Sequence, residues 1–397
     1  MRAIDDAERR RRLAVRQALS PAHRATDPVA ATRRVVALHG TDPATIFMSA
    51  RARAAGMEVA DLEGALYRDR HLVRVMAMRR TIWIVPDDLV GAAIGGPGRR
   101  VAERERARLI KDVESHELRK DGARWIRQAR RQVLDVLADG RSLSMDEIRA
   151  EAPALRGAIR QGVGKRWEAE APIGPRVLTW LWAGGDVVRS TNDGSWRASR
   201  PRWASTDAWL PVAPNAVDAP DAWTELVRRY LAAFGPATET DVVWWLGANK
   251  GIVRAALADL GAEEVALAGG ATGLVLPGDE GATVEVDPWG ALLPGLDPTT
   301  MGWKERAWYL GPHAPELVDN AGNAGPTIWW DGRIVGGWHQ SEDGAIGMVL
   351  LEDVGHDAVV ALEAHAGELE SWLGGDRVML RFPSPLFQRS VGRPPSR

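Results

Sequence analysis

Residues 223–267, WTELVRRYLAAFGPATETDVVWWLGANKGIVRAALADLGAEEVAL, read as three consecutive helices followed by a strand. The first, Trp223 to Phe234, is apolar-periodic and stops at Gly235-Pro236, a pair that cannot continue a helix. Thr238 stands ahead of Glu239 and Asp241, an N-cap followed by acids where the positive end of a helix dipole favours them. A second helix, Asp241 to Leu246, closes at Gly247; a third, Asn249 to Leu260, closes at Gly261; Val265-Ala266-Leu267 then forms a strand. Two helices on a tight turn with a strand behind them make a helix-turn-helix of the winged type.

The same pattern recurs upstream. Arg131 to Ala138 is helical, Gly140 breaks it, Ser144 caps a second helix through Glu147, and Pro175 to Leu181 opens a third. Val187-Val188-Arg189, the turn Asn192-Asp193-Gly194 and Trp196-Arg197-Ala198 then predict a hairpin. A further copy is predicted from a helix over Ala31 to Leu38, a second to about Ala55, a segment from Asp61 to Arg70, and the strand Thr81 to Val85 stopped by Pro86. The fold class expected is α+β, with three tandem winged-helix units and a small C-terminal β-barrel-like domain. The divisions are 1–90 (first unit with an N-terminal helix), 91–130 (helical bridge), 131–210 (second unit), 221–270 (third unit) and 271–397 (barrel). In the bridge, Gly95-Gly96-Pro97-Gly98 is predicted to be a hinge, and the alternating charges from Arg99 onward a solvated helix. The last part is predicted to hold strands at Thr283 to Val286, Thr327 to Trp330, Arg333 to Trp338, Gly347 to Leu351 and Arg377 to Phe382, with one helix from His356 to Leu373.

Composition narrows the chemistry. The 397 residues include no cysteine, which removes disulfides, thiol nucleophiles and thiolate metal sites together. The eight histidines show no metal-ligand spacing, so neither metal nor cofactor is expected. No apolar run approaches the roughly 20 residues that span a bilayer, so a cytoplasmic location with no membrane contact is expected; nucleoid association and a monomeric state are expected of a DNA-binding chain. The net charge of −2 conceals a polarity: residues 1–210 hold 39 Lys+Arg against 27 Asp+Glu, and residues 211–397 hold 12 against 26. A half carrying +12 beside one carrying −14 points to a polyanion partner for the first, and double-stranded DNA is expected.

Val36-Ala37-Leu38-His39-Gly40-Thr41-Asp42-Pro43 and Met78-Arg79-Arg80-Thr81-Ile82-Trp83-Ile84-Val85 resemble the two N-terminal signatures of the winged-helix DNA-binding superfamily that contains bacterial alkylpurine and interstrand-crosslink DNA glycosylases. Leu292 to Pro298 with Met301-Gly302-Trp303, and Asp331 to Trp338, are similar to its C-terminal β-barrel. The resemblance implies three winged helices bent around DNA, a barrel completing the channel, and a catalytic turn in the first unit. That turn carries Gln-apolar-Gln, with His in place of the first glutamine or Asp in place of the last in some members, and its two positions fall here on His39 and Thr41. Thr41 is shorter than the second glutamine, and Asp42 sits one residue after the position at which those members carry their carboxylate.

The residues themselves suit N-glycosidic hydrolysis, which needs a placed water and a charge facing the oxocarbenium-like sugar. His39 is positioned to orient or deprotonate the water, Thr41 to hydrogen-bond it, and Asp42 to offset the positive charge and hold the imidazole. Asp42-Pro43 reads equally as a helix N-cap. The candidate catalytic residues are therefore His39, Thr41 and Asp42. The DNA-contact candidates are Arg79, Arg80, Lys165, Arg166, Arg176, Arg189 and Arg197, with Lys304, Arg306, Arg333, Trp338 and His339 from the barrel. The function expected is a monofunctional DNA glycosylase for alkylated or bulky-adduct purines; the alternative is a non-enzymatic DNA-binding protein.

Overall fold

In the computed structural model the described residues are 1–161, 164, 168–211, 217–378 and 383–390. Among the described residues, helices and five small sheets alternate in an α+β arrangement. Repeatedly along the chain, helices lead into an antiparallel hairpin, and three such units make up its first two-thirds.

In the first such unit the helices Pro28–Arg34 and Pro43–Arg51 precede the hairpin Leu72–Met76 and Ile82–Pro86, with Val73 opposite Val85 and Met76 opposite Ile82. The helix predicted to reach Leu38 stops at Arg34. Val36 lies at φ 65°, a conformation no helix accepts, and the chain leaves as the short strand Leu38–His39 paired with Ile82–Pro86. His39 thereby sits directly opposite Trp83.

In the second unit the helices Gly122–Val136, Met145–Glu151 and Gly174–Ala183 precede the hairpin Val187–Asn192 and Pro201–Ser205. The strand predicted at Trp196 to Ala198 is instead part of a wide loop. The Asn192 side chain organises that loop, donating to the carbonyls of Ser195 and Ala198 and accepting from the Arg200 amide. Trp196 turns inward against Phe47 and Trp372. A further hairpin, Ala158–Gln161 with Ala169–Pro172, has no counterpart among the predicted strands.

The third unit follows its sequence pattern closely. Ala219–Phe234 is succeeded by Glu239–Leu246, whose Thr238–Asp241 capping box is formed, and by Lys250–Asp259. The hairpin Glu263–Leu267 and Thr272–Val275 comes next, and Ala3–Ile4 joins it as a parallel third strand, Ala3 beside Ala266 and Ile4 beside Leu267.

The predicted hinge is corrected by the structure. Ile94–Gly98 is a widened helical turn that runs on into Arg99–Ser115, with Gly98 itself helical. Its glycines are there for closeness: a Cβ on Gly95 would fall 2.4 Å from the Val217 carbonyl oxygen, and one on Gly98 would fall 2.7 Å from that of Ala183.

Among the described residues the C-terminal strands Gly290–Leu293, Thr327–Trp330, Arg333–Gln340 and Ile346–Leu350 form an open four-stranded antiparallel sheet rather than a closed barrel. The helix His356–Leu373 packs on it, accompanied by the short helices Ala307–Leu310, Ala314–Leu317 and Pro385–Ser390. Asp331 and Gly332, at φ 47° and 76°, make the two-residue turn that right-twisted strands prefer. Thr283 to Val286 is not a strand. Neither are Arg377 and Val378, and residues 379–382 of the last predicted strand lie outside the described ones.

Among the described residues two large cores hold these parts, beside two small clusters, one of Ile4, Val265, Leu267 and Val275 and one of Leu296, Met301 and Ala324. The larger joins the first unit, the third unit and the C-terminal sheet through residues such as Phe47, Trp83, Tyr230, Trp245 and Trp329. The smaller belongs to the second unit and the connecting helix, around Leu109, Trp125, Leu178 and Trp203. Two of the run Arg9 to Arg12 are buried: Arg12 is paired with Glu8 and donates to the Asp279 and Gly281 carbonyls, and Arg9 lies over Trp308.

Candidate functional site around His39

The turn between Leu38–His39 and Pro43–Arg51 is fixed from both ends. The Gly40 amide donates to the Ile82 carbonyl at 2.8 Å, and a Cβ at position 40 would fall 2.8 Å from the Ile82 side chain. Asp42 is the N-cap of the following helix, its carboxylate accepting from the Ala44 amide at 3.2 Å, with Pro43 at the first helical position. Thr41 is half-buried between them.

His39 is 7% exposed and meets the edge of Trp83 with ring centroids 5.1 Å apart. Its Nδ1 is buried without a hydrogen-bond partner, so Asp42 does not hold the imidazole through that nitrogen. Burial, with a smaller contribution from the Arg79 guanidinium, pushes its pKa down from 6.5 to about 3. The imidazole is accordingly neutral at physiological pH. It accepts a hydrogen bond but is a poor proton acceptor, so it suits placing a water better than deprotonating one.

The helix behind this turn is anchored to the C-terminal part. Thr45 donates to the Gly295 carbonyl at 2.8 Å, and Ser49 to Asp297 at 2.7 Å. Arg53 grips Asp297 with two nitrogens at 2.6 and 2.9 Å and also donates to the Ser49 carbonyl and the Thr299 hydroxyl. The segment Leu292 to Pro298 is thus a clamp on the helix that follows His39.

The family model described as DNA glycosylase AlkZ-like matches residues 32–372, from four residues before the first signature to the end of the last long helix. The chain belongs to the AlkZ-like DNA glycosylase family. A search of curated proteins finds no match. The solved structure of the Streptomyces sahachiroi DNA glycosylase AlkZ is similar, with a TM-score of 0.72 and 20% identity, covering 96% of this chain and 100% of that one. At that identity the likeness speaks for a shared fold. Membership of the AlkZ-like family decides between the two functions expected from the sequence in favour of a DNA glycosylase.

In this AlkZ-like chain the candidate cations divide sharply by placement. Arg79 and Arg80 are exposed at the tip of the first hairpin; Arg79 lies over Trp244 at 4.3 Å, and Arg80 bonds Glu105 at 2.7 Å. The Arg79 pKa is lowered first by the cover Trp244 gives its guanidinium, although the residue as a whole is exposed, and then by the charge of Arg306, which reaches inward to the Thr300 and Gly322 carbonyls. Lys304 is exposed.

Others are structural ties. Arg176 pairs with Asp112 at 2.7 Å, Arg197 with Asp376 at 2.9 Å, and Arg333 with Glu352 at 3.0 Å. Arg189 is held between Trp182 and Trp203, where burial lowers its pKa to about 10. Trp338 is 4% exposed and donates to the Leu293 carbonyl, so it belongs to the core and not to a DNA-facing surface; the same holds for Trp303, bonded to the Phe234 carbonyl. His339 is half-buried with an unpartnered Nδ1. Lys165 and Arg166 lie outside the described residues. Among the described residues no group of three or more His, Asp or Glu is placed to hold a metal ion, and no helix is long and apolar enough to cross a membrane.

Two further groups matter here that sequence reasoning does not single out: the Arg53–Asp297 pair, and the arginines of the connecting helix. Arg100, Arg104 and Arg108 recur every four residues, a spacing that places them on one helical face and is the only local signal of their role.

Proposed function

We propose that the chain is a monofunctional glycosylase that hydrolyses the N-glycosidic bond of alkylated or bulky-adduct purines in double-stranded DNA, acting as a monomer through the turn His39 to Asp42. In this reading the three helix-and-hairpin units are winged helices over 1–90, 131–210 and 221–270, and the C-terminal sheet completes the DNA-binding surface. The observation that carries it is the neutral, nearly enclosed imidazole of His39 on a rigid turn one step ahead of a capping carboxylate, within a chain of this family.

The chemistry asks little acid catalysis of the protein. The bond from C1′ to the purine nitrogen breaks with its electron pair leaving on the base, and a positive charge on an alkylated ring makes that departure easier. Water then bonds C1′ through its oxygen and passes its extra proton to bulk solvent, leaving a hydroxyl on C1′. His39 orients that water through an unprotonated nitrogen, Thr41 supplies a hydroxyl beside it, and the Asp42 carboxylate opposes the charge developing on the sugar. Asp42 performs this role from its capping position, which fixes the carboxylate at the head of the helix.

The test is incubation with duplexes containing 7-methylguanine and with crosslinked duplexes, scoring abasic sites. Product from at least one substrate, diminished in His39→Ala, is expected. Absence of abasic product from every duplex overturns the reading.

A further inference from the structure

Arg79 and Arg80 of the second signature form one edge of a pocket of about 190 Å³ whose other charged walls lie outside the signatures. Its ionisable lining is Arg79, Arg80, Arg100, Arg104, Arg108 and a single acid, Glu105. Three parts of the fold bring these together. The hairpin tip places Arg79 and Arg80 in successive left-handed conformations, φ 56° and 57°, which sends their side chains apart: Arg80 to Glu105, Arg79 to Trp244. The helix Arg99–Ser115 presents Arg100, Arg104 and Arg108 along one face. The third unit closes the remaining side with Trp223, Leu246 and Gly247, where a Cβ on Gly247 would lie 3.0 Å from the Arg79 side chain.

The charge is unbalanced. Glu105 is buried and already engaged by Arg80 at 2.7 Å and Arg108 at 3.5 Å. Arg79, Arg100 and Arg104 have no carboxylate partner among the described residues, and Nη1 of Arg100 is buried with no hydrogen-bond partner at all. Like charges four residues apart on a helix oppose its formation, so the cluster weakens the free protein. Guanidinium groups are also the donors best matched to phosphate oxygens, in pairs and in a plane.

We propose that this pocket holds backbone phosphates of the DNA substrate, with Arg100 and Arg104 as phosphate ligands and Arg79 shared between the pocket and the His39 turn. The inference rests on the glycosylase reading for its ligand. Such contacts position the strand against the turn without reading its sequence.

The experiment measures the salt dependence of duplex affinity, with and without 7-methylguanine, for the full chain and for Arg100→Gln/Arg104→Gln. Each phosphate ligand removed lowers the slope of log K against log salt by about 0.9, so a fall of about 1 to 2 is expected, equal for both duplexes. The exposed Arg104→Gln alone, expected to lower it by about 1, serves if the double substitution unfolds the chain. Arg106→Gln, which takes a charge from another face of the same helix, is expected to keep the full slope. An unchanged slope in the pocket substitutions, or an equal fall in Arg106→Gln, overturns the proposal. So does protection of wild type, but not of the doubly substituted chain, by millimolar inorganic phosphate with the DNA slope intact, since the pocket's ligand would then be a free anion. DNA affinity is read without turnover, so a chain that excises nothing still passes or fails this test by itself.

Discussion

Arg53 and Asp297 face each other with neither side chain exposed, their closest atoms 2.6 Å apart, and they join the helix after His39 to the segment that opens the C-terminal part. Asp297 also accepts from Ser49 and from the Thr299 amide, so its lone pairs are fully used. Removing one member of such a pair strands the other charge in the interior. Asp297→Ala is expected to cost about 3 to 5 kcal/mol, read as a shift of the urea unfolding midpoint. Replacing both with apolar residues, Arg53→Met with Asp297→Leu, is expected to recover most of that loss. A single substitution as stable as wild type would show that the pair is not a clamp.

His39 gives a pH signature. Above the ordinary 6.5 both folded and unfolded states carry it neutral, and it adds no pH dependence. As the pH falls from 6.5 toward 3, the unfolded chain takes up a proton that the folded imidazole refuses, so stability present at neutral pH is progressively lost. The slope from this group approaches about 1.4 kcal/mol per pH unit, and His39→Gln is expected to flatten it. Excision by wild type is expected to show no inflection near 6.5; a sigmoid centred there would mean that His39 titrates normally.

Capping and charge at Asp42 are separable. Asp42→Asn keeps an acceptor for the Ala44 amide and is expected to leave the melting temperature nearly unchanged while slowing excision. Asp42→Ala loses the cap as well, at a cost of about 1 kcal/mol. Equal excision by Asp42→Asn and wild type would reduce Asp42 to a cap.

Trp338 is expected to behave as core. Trp338→Ala should destabilise by about 3 to 5 kcal/mol in denaturant titration. The salt slope of DNA binding should not move, and a change in that slope at full stability would place the indole at the DNA.

Local signals are legible in the sequence, and distant ones are not. The Thr238 N-cap and the strand containing Trp83 each depend on neighbours within a few residues, and each forms as expected. The position of His39 on a turn before an Asp-capped helix is visible for the same reason. Trp196 is expected in a strand because its true partners, Phe47 and Trp372, come from opposite ends of the chain, and nothing nearby announces them. The glycines 95–98 resemble a hinge because Val217 and Ala183, the reasons for their missing side chains, are remote. The burial of Arg9 and Arg12 is hidden because an arginine's carbonyl and indole partners leave no mark on its own segment. The arginine pocket is half-visible, its four-residue spacing present but its far wall unknown.

The parallel pairing of Ala3–Ile4 with Glu263–Leu267 has a consequence for biosynthesis. A ribosome must extrude more than two hundred further residues before the earliest strand finds its mate, so the nascent leading segment stays unmatched while the middle of the polypeptide is made. Chains arrested before Leu267 should therefore leave that opening segment open to proteases, and release of the completed hairpin should shut them out.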